Sequence, residues 1–147
     1  MHQLNIRRGS LFESPCQTLV NPVNTVGVMG AGLAARFKTR YPEMFLDYQA
    51  ACRSGALVVG TLHLFRLSGH WVLNFPTKRH FREPARIEVI QTGLTVFKQH
   101  YQAWGITSAA LPALGCGLGG LSWDLVRPLM VQAQATIEIP VEIYEPA

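Results

Sequence analysis

The sequence is short of acidic residues and cysteine, and both shortages narrow the class of protein it can encode. Nine Asp and Glu residues stand against thirteen Lys and Arg residues, which leaves a formal net charge of +4 at pH 7. That excess is compatible with a polyanionic partner but does not require one. Cys16, Cys52 and Cys116 are an odd number in no metal-ligand spacing, so they indicate neither a disulfide framework nor a zinc site.

Long apolar runs are also missing. No stretch approaches the roughly 18 consecutive apolar residues of a membrane span, and the start MHQLNIRRGS lacks the apolar centre of a signal peptide. We therefore expect a protein that stays in the cytoplasm and has no contact with a membrane. With 147 residues, of which 48% are hydrophobic, the chain has the composition of one globular domain spanning residues 1–147.

Short runs of branched and aromatic residues predict the strands. The first run alternates His2, Leu4 and Ile6 with polar residues. Later runs read TLVN, ALVVGTLHLFRL, HWVLNF, SAALPAL and VEIYE. Each is short and bounded by turn residues, so we expect several short strands.

Helical periodicity fills the intervals between these runs. Apolar residues recur at steps of three and four from Ile87 to Trp104, which predicts one helix closed by Gly105. Further helices are expected over residues 32–40, over residues 42–53 and after Trp123. Strands that alternate with helices favour a largely parallel sheet covered on both faces.

Two glycine-rich segments each follow a predicted strand and precede a predicted helix. They read NTVGVMGAG and LPALGCGLGGLSW. Ligands of such sheets bind where loops leave the carboxyl ends of strands, and glycines let backbone amides approach an anion. The first segment is neither a GxGxxG fingerprint nor a GxxxxGK[ST] phosphate loop. Together they predict that a diphosphate is bound from two sides, although each alone could be a tight turn.

Three segments carry a family resemblance, and they read NPVNTVGVMGAGLAARFKTRYPEMF, NFPTKRHF and LPALGCGLGGLSW. They resemble macrodomains, the ADP-ribose-binding α/β/α modules, and more closely the DNA ADP-ribosyl glycohydrolases of DarG type, the antitoxin partners of DarT toxins. The resemblance implies an α/β fold: a single macrodomain of three α/β/α layers with a mixed, largely parallel central sheet. It also implies ADP-ribose and ADP-ribosylated DNA as ligands, a DarT-type toxin as a further partner, and no cofactor or metal.

The resemblance further implies which residues contact ADP-ribose. Asn24 matches the asparagine that hydrogen-bonds the distal ribose, a role that suits an amide because it can both donate and accept. Capping of its own loop is the structural alternative. Cys116 has no evident base beside it, so we interpret it as a small loop residue and not as a nucleophile. The expected contacts are Ser10, Leu11, Asn24, Gly30, Ala31, Gly32, Leu33, Thr77, Gly115, Cys116, Gly117, Leu118, Gly119 and Tyr144.

The motif PTKRH is expected to carry the chemistry. In the DarG branch, and in the related human terminal ADP-ribose protein glycohydrolase, a lysine of this motif is tied to catalysis, which implies Lys78. A lysine can attack as an amine or stabilise a departing anion as a cation, and sequence does not separate these roles. His80 is the second catalytic candidate because it can transfer a proton near neutral pH, with a backbone-satisfied histidine as the alternative. Arg79 and Arg82 suit phosphate contacts or a solvated face.

Two positions depart from the patterns of the family. The related protein glycohydrolase has an aspartate in its second glycine loop, where this chain has Gly119, and a side chain there is expected to intrude on the diphosphate. Many relatives read adenine with a GD[IL] motif, which is Gly9, Ser10 and Leu11 here. The adenine contact must then come from Ser10 and backbone or from elsewhere. Tyr144 is a candidate for that side, with core packing as its alternative.

Three functional hypotheses follow. The first is an enzyme that hydrolyses the bond between ADP-ribose and a thymine base of DNA. The second is a glycohydrolase or deacylase acting on ADP-ribosylated protein or small ADP-ribose derivatives, and the missing loop aspartate weakens it. The third is a module that binds ADP-ribose without turnover, and the motif PTKRH weakens that one.

Overall fold

A computed structural model describes residues 3–146 of the chain, so the predicted contribution of His2 to the first strand lies outside the described residues. The strands are β1 (Gln3–Arg7), β2 (Thr18–Val23), β3 (His63–Phe65), β4 (Trp71–Pro76), β5 (Ala109–Leu111) and β6 (Pro140–Tyr144). The helices are α1 (Gly32–Arg40), α2 (Pro42–Ser54), α3 (Ile87–His100) and α4 (Trp123–Gln134). Strands and helices therefore alternate much as the sequence predicts.

The strands form one sheet in the order β1-β6-β5-β2-β4-β3. All neighbouring pairs are parallel except β3 and β4, which are antiparallel. The prediction of a mixed, largely parallel sheet is confirmed. Because β5, β2 and β4 are adjacent and parallel, their carboxyl ends meet at one edge of the sheet.

Helices cover both faces of the sheet, and each face has its own hydrophobic cluster. Within β2, Val20 packs in the cluster that includes residues of α3 and α4, whereas Leu19 packs in the cluster that includes residues of α1 and α2. Successive strand side chains point to opposite faces, so each central strand contributes to both clusters. This produces the three α/β/α layers that the resemblance implies.

Three predicted elements are shorter in the structure. The run SAALPAL forms a strand only over Ala109–Leu111. The run ALVVGTLHLFRL pairs only over His63–Phe65. Its first half forms a turn, in which the Thr61 hydroxyl donates to the Val58 carbonyl at 2.7 Å. Helix α3 ends at His100, and a separate turn closes at Gly105, whose N–H donates to the Gln102 carbonyl at 3.0 Å. Apolar periodicity continues through this turn, which is why the sequence overestimates the helix.

No helix within residues 3–146 is long and apolar enough to cross a membrane.

Candidate functional site

Three segments leave the sheet edge where β2, β4 and β5 end. The first glycine loop (residues 24–31) follows β2 and leads into α1. The Lys78 segment (residues 77–86) follows β4 and leads into α3. The second glycine loop (residues 112–122) follows β5 and leads into α4. The parallel topology therefore brings together the three motifs that are far apart in sequence.

Backbone hydrogen bonds join the Lys78 segment to both glycine loops. The Arg79 carbonyl accepts from the backbone N–H of Thr25 at 3.0 Å and from its hydroxyl at 3.1 Å. At the other end of the segment, the Ala85 N–H donates to the Gly119 carbonyl at 2.9 Å. Lys78 is thus on a bridge between the two loops that are predicted to hold a diphosphate.

Lys78 is half-buried near the start of this bridge. Its Nζ donates to the Phe81 carbonyl at 3.3 Å. Glu83 is the single acidic residue of the segment, and its carboxylate lies 4.0 Å from Nε of Arg79. None of the ion pairs in the described part of the chain includes Lys78. Its charge is therefore not neutralised by a neighbouring carboxylate.

The His80 ring is held in place by its own turn. Its Nδ1 accepts the backbone N–H of Arg82 at 3.1 Å, and the ring stacks on Phe81 with 4.2 Å between centroids. Because Nδ1 is an acceptor in this geometry, the neutral ring carries its proton on Nε2. The backbone therefore satisfies one nitrogen of His80, and the other nitrogen is left as a donor.

Asn24 organises the first glycine loop from within. Its Nδ2 donates to the Val28 carbonyl at 2.8 Å, and its Oδ1 accepts the N–H of Val26 at 3.1 Å. The hydroxyl of Tyr48 on α2 donates to Oδ1 and to the backbone carbonyl of Asn24, both at 2.9 Å. These contacts show the loop-capping role. The contact with a distal ribose stays a prediction, for which the second N–H of the amide is available.

The first helix begins in a way that suits an anion. Ala31 is its N-cap and makes no side-chain hydrogen bond, so the first amides of α1 have no capping partner. Gly32 has a φ of +61°, a conformation that a side chain disfavours. The Leu118 side chain, which is 72% exposed, reaches to 3.2 Å from where a Cβ on Gly32 would lie. The two glycine loops therefore meet over the N-terminus of α1.

Glycines of the second loop differ in what surrounds them. A Cβ on Gly119 would lie 2.6 Å from the Gly115 carbonyl oxygen and 2.8 Å from Cβ of Ala85. The expectation that a Gly119 side chain would point at the diphosphate is therefore corrected: it would collide with the loop itself. Gly117 is exposed, and a Cβ there would meet nothing within 4 Å. Gly117 is therefore a position in this loop at which a bound diphosphate could contact an unshielded backbone, and Gly120 is equally open.

Cys116 behaves as the sequence interpretation expects. Burial raises the pKa of its thiol to about 11, so the thiol is protonated at neutral pH. Its Sγ lies 3.6 Å from the Leu114 carbonyl oxygen, within the reach of a weak S–H hydrogen bond. A protonated thiol turned toward its own loop is a poor nucleophile.

Most residues expected on the adenine side are buried or already hydrogen-bonded to other groups of the protein. Leu11 is buried, and the Ser10 hydroxyl accepts the Phe12 N–H at 3.3 Å, where it caps a 3-10 turn. Tyr144 is only 7% exposed, and its hydroxyl donates to Glu142 at 3.0 Å. The structure thus favours core packing for Tyr144. Because the Leu11 side chain is buried, any adenine contact at Leu11 would have to come from its backbone.

The Glu142 carboxylate anchors this region. It accepts hydrogen bonds from the Ser14 hydroxyl at 2.6 Å and from Nε of Arg7 at 2.6 Å, in addition to the one from Tyr144. Burial by itself would raise the pKa of Glu142, but these hydrogen bonds and the Arg7 charge together lower it. Glu142 is therefore ionised at neutral pH, and its hydrogen bonds stabilise the fold and do not contribute to the candidate site.

Two residues that stabilise the site have no evident signal in the sequence. Tyr48 lies on the buried face of α2, and nothing in its spacing shows that its hydroxyl reaches Asn24. Thr25 contacts the Lys78 segment across more than fifty residues of sequence. Within residues 3–146, no group of three or more His, Cys, Asp or Glu side chains is arranged to hold a metal ion.

Comparison with known proteins identifies the family. The Macro domain family model matches residues 20–130, and the chain belongs to the macrodomain family. Among solved structures, the macrodomain of Mycobacterium tuberculosis DarG superposes with a TM-score of 0.94 at 38% identity, and each chain is covered completely. The structure of Thermosipho africanus DarTG in complex with ADP-ribose superposes with a TM-score of 0.96 at 43% identity, over 99% of this chain and 42% of that one.

A curated relative likewise matches nearly all of this chain with less than half of its own length. The DNA ADP-ribosyl transferase–DNA ADP-ribosyl glycohydrolase fusion protein of Thermosipho africanus is 41% identical over 97% of this chain and 42% of its own length. The chain spans 41 to 42% of the length of the four curated relatives that are 39 to 41% identical to it.

Proposed function

We propose that the chain is a glycohydrolase that removes ADP-ribose from thymine bases of DNA and acts as the antitoxin of a DarT-type DNA ADP-ribosyltransferase. The observation that carries this proposal is the position of Lys78, on a segment hydrogen-bonded to both glycine loops. It agrees with the names of the relatives, which include DNA ADP-ribosyl glycohydrolases and a transferase–glycohydrolase fusion. The cytoplasm is the proposed compartment, because Cys16, Cys52 and Cys116 are free thiols.

In this proposal the diphosphate of ADP-ribose lies between the uncapped first turn of α1 and the open backbone at Gly117. The helix N-terminus presents amide donors and a partial positive charge to the anion. Leu118 covers the same helix end and encloses the ligand. Asn24 contacts the distal ribose with its remaining N–H, and Ser10 with neighbouring backbone contacts adenine. No cofactor enters the reaction.

The reaction breaks the bond between the anomeric carbon of the distal ribose and a thymine ring nitrogen. The bonding electron pair leaves with thymine, and water supplies the hydroxyl that the ribose gains. A cation near the departing nitrogen lowers the barrier because negative charge develops there in the transition state. We assign this role to Lys78, which has no carboxylate partner among the described residues. The Nε2–H of His80 can hydrogen-bond the departing thymine, and the proton that the attacking water releases neutralises the thymine anion.

The direct test measures turnover and binding separately in Lys78→Ala. Loss of the cation should lower hydrolysis of a thymidine-ADP-ribosylated oligonucleotide by about 10²- to 10³-fold, the usual cost of removing one preorganised charge-stabilising group. Calorimetric affinity for ADP-ribose should change little, because the interaction is made mainly in the transition state. His80→Ala should give a partial loss. Hydrolysis by Lys78→Ala at the wild-type rate would remove the catalytic assignment.

Lys78→Arg separates the two roles open to the lysine. Arginine keeps the positive charge but is not deprotonated in proteins, so it cannot attack as an amine. Partial activity in Lys78→Arg is expected for the electrostatic role. If Lys78→Arg is as inactive as Lys78→Ala, and borohydride traps a covalent ADP-ribose adduct on the wild type, Lys78 is the nucleophile instead.

Ligand binding tests the site independently of turnover. ADP-ribose should raise the melting temperature more than ADP or AMP does, because a ligand of the native state stabilises it by mass action and only ADP-ribose has the distal ribose. Equal shifts from AMP and ADP-ribose would contradict the assignment of Asn24. A wild-type protein that binds ADP-ribose but hydrolyses no substrate would be a reader.

A further inference from the structure

Exposed apolar side chains are concentrated around the candidate site. Seven large hydrophobic residues are exposed in the described part of the chain, and four of them lie on the three segments at the sheet edge: Val26, Val28, Phe81 and Leu118. Single exposed apolar residues are ordinary on a protein surface, so each of the four has to be judged by its own neighbours. Phe81 is the one aromatic residue among these four and is 45% exposed.

The Phe81 ring is positioned by the same turn that positions Lys78. The Nζ of Lys78 donates to the Phe81 carbonyl, and the ring stacks on His80 at an interplanar angle of 29°. The His80 ring is fixed in turn by the N–H of Arg82. The exposed aromatic surface is therefore backed by a second ring and lies three residues from the proposed catalytic cation.

The charge around Phe81 is strongly positive. Lys78, Arg79, Arg82 and Arg86 bring four positive charges to residues 77–86, and Glu83 brings one negative charge. The guanidinium carbon of Arg82 lies 5.7 Å from the centre of the Phe81 ring. An exposed aromatic ring among an excess of cations is the combination with which proteins hold single-stranded nucleic acid: the ring stacks on a base, and the cations contact phosphates.

We infer that Phe81 stacks on the base of a nucleotide next to the ADP-ribosylated thymine, and that the surrounding cations hold the phosphates of that single strand. This inference rests on the proposed function, since it concerns the part of the substrate beyond the modified base. It makes the protein selective for ADP-ribosylated thymidine within a strand over the same modified nucleoside alone. An acidic segment of a protein partner would use the cations but would not need the exposed ring.

The test compares two substrates: a single-stranded oligonucleotide with one ADP-ribosylated thymidine, and ADP-ribosyl-thymidine without flanking nucleotides. Phe81→Ala should lower kcat/KM on the oligonucleotide by about ten- to a hundredfold, mainly through KM, in line with the loss of one base stack. The rate on ADP-ribosyl-thymidine should fall much less, because only the packing of the His80 ring is lost with that substrate. Phe81→Trp should restore the oligonucleotide rate. Val58→Ala is the control, because Val58 is 46% exposed and lies outside the three segments.

The outcomes separate this inference from the proposed function. If the wild type hydrolyses neither substrate, the proposed function fails. If it hydrolyses both and Phe81→Ala changes neither rate, the stacking role is wrong. An equal loss on the two substrates also overturns it, because the ring would then act on the modified base or through His80. A loss on the oligonucleotide that Phe81→Trp does not restore rules out stacking as the cause.

Discussion

The two glycine loops look alike in sequence, but glycine meets a different physical need in each. In the first loop Gly30 is exposed and would tolerate a Cβ, whose nearest neighbour is Val28 at 3.5 Å. In the second loop Gly119 is buried against the Gly115 carbonyl and Ala85. Some glycines therefore leave the backbone exposed, and others let a loop pack against its neighbours. A glycine pattern alone does not distinguish the two uses.

The loops also differ in what holds them in place. The first loop is held by two side chains, the Tyr48 hydroxyl of α2 from outside and its own Asn24 amide from within. The second loop is held by backbone hydrogen bonds: the Leu121 N–H donates to the Gly115 carbonyl within the loop, and the Ala85 N–H of the Lys78 segment donates to the Gly119 carbonyl, both at 2.9 Å. A change in α2 should therefore loosen the first loop, whereas the second loop should be sensitive to its own buried glycines.

The largest effect on stability is expected for Gly119→Ala. The new methyl group would lie 2.6 Å from the Gly115 oxygen, and backbone atoms move only at a cost, so we expect a loss of about 1–3 kcal/mol. Urea unfolding measures this change, and ADP-ribose affinity should fall with it because the loop is displaced. If the variant is as stable as the wild type, the loop accommodates a Cβ at residue 119, which contradicts the predicted collision.

A smaller loss, about 1 kcal/mol, is expected for Tyr48→Phe, because one buried hydroxyl no longer pairs with Asn24. Hydrogen exchange at the Val26 and Val28 amides should become faster, and ADP-ribose affinity should fall. Tyr101→Phe is the matched control: its hydroxyl accepts the Glu138 N–H at 3.2 Å, away from the three segments. Equal effects of the two variants on ADP-ribose affinity would contradict the role of Tyr48 in the first loop.

The smallest effect on stability is expected for Gly117→Glu and Gly117→Gln, within about 0.5 kcal/mol, because the position is open and exposed. ADP-ribose affinity should nevertheless fall in both variants, and further with glutamate, which adds like-charge repulsion to volume. Calorimetry at low and high salt isolates the charge contribution. Unchanged affinity in both variants would mean that no diphosphate lies against Gly117.

Much of the fold is predictable because it depends on local patterns. The stripe from Ile87 to Phe97 has helical spacing and forms the buried face of α3. The β2 run alternates between the two faces of the sheet, which strand geometry requires. Predictions are wrong where a local pattern runs past its element, as in the residues after His100. Tertiary hydrogen bonds, and not periodicity, set those ends.

The candidate site is predictable as a set of segments but not as a geometry. The motifs around Gly30, Lys78 and Gly117 can be read from the sequence, and strand order explains why they meet. The burial of Tyr144 and the contact of Gly119 with Ala85 depend on atoms from distant segments. Contacts of that kind leave no periodic signal, so a residue type that suits a ligand equally suits the core.

By itself the sequence determined the alternation of strands and helices, the two glycine loops and the basic segment that carries Lys78, because propensity, periodicity and charge act between near neighbours. The tertiary structure alone decided that the Lys78 segment is hydrogen-bonded to both loops, that Asn24 is held by Tyr48, and that the Phe81 ring remains exposed beside them. These features arise from the parallel pairing of β5, β2 and β4, which places three carboxyl ends at one edge. Which strands pair depends on burial over the whole sheet, a sum that no single segment contains.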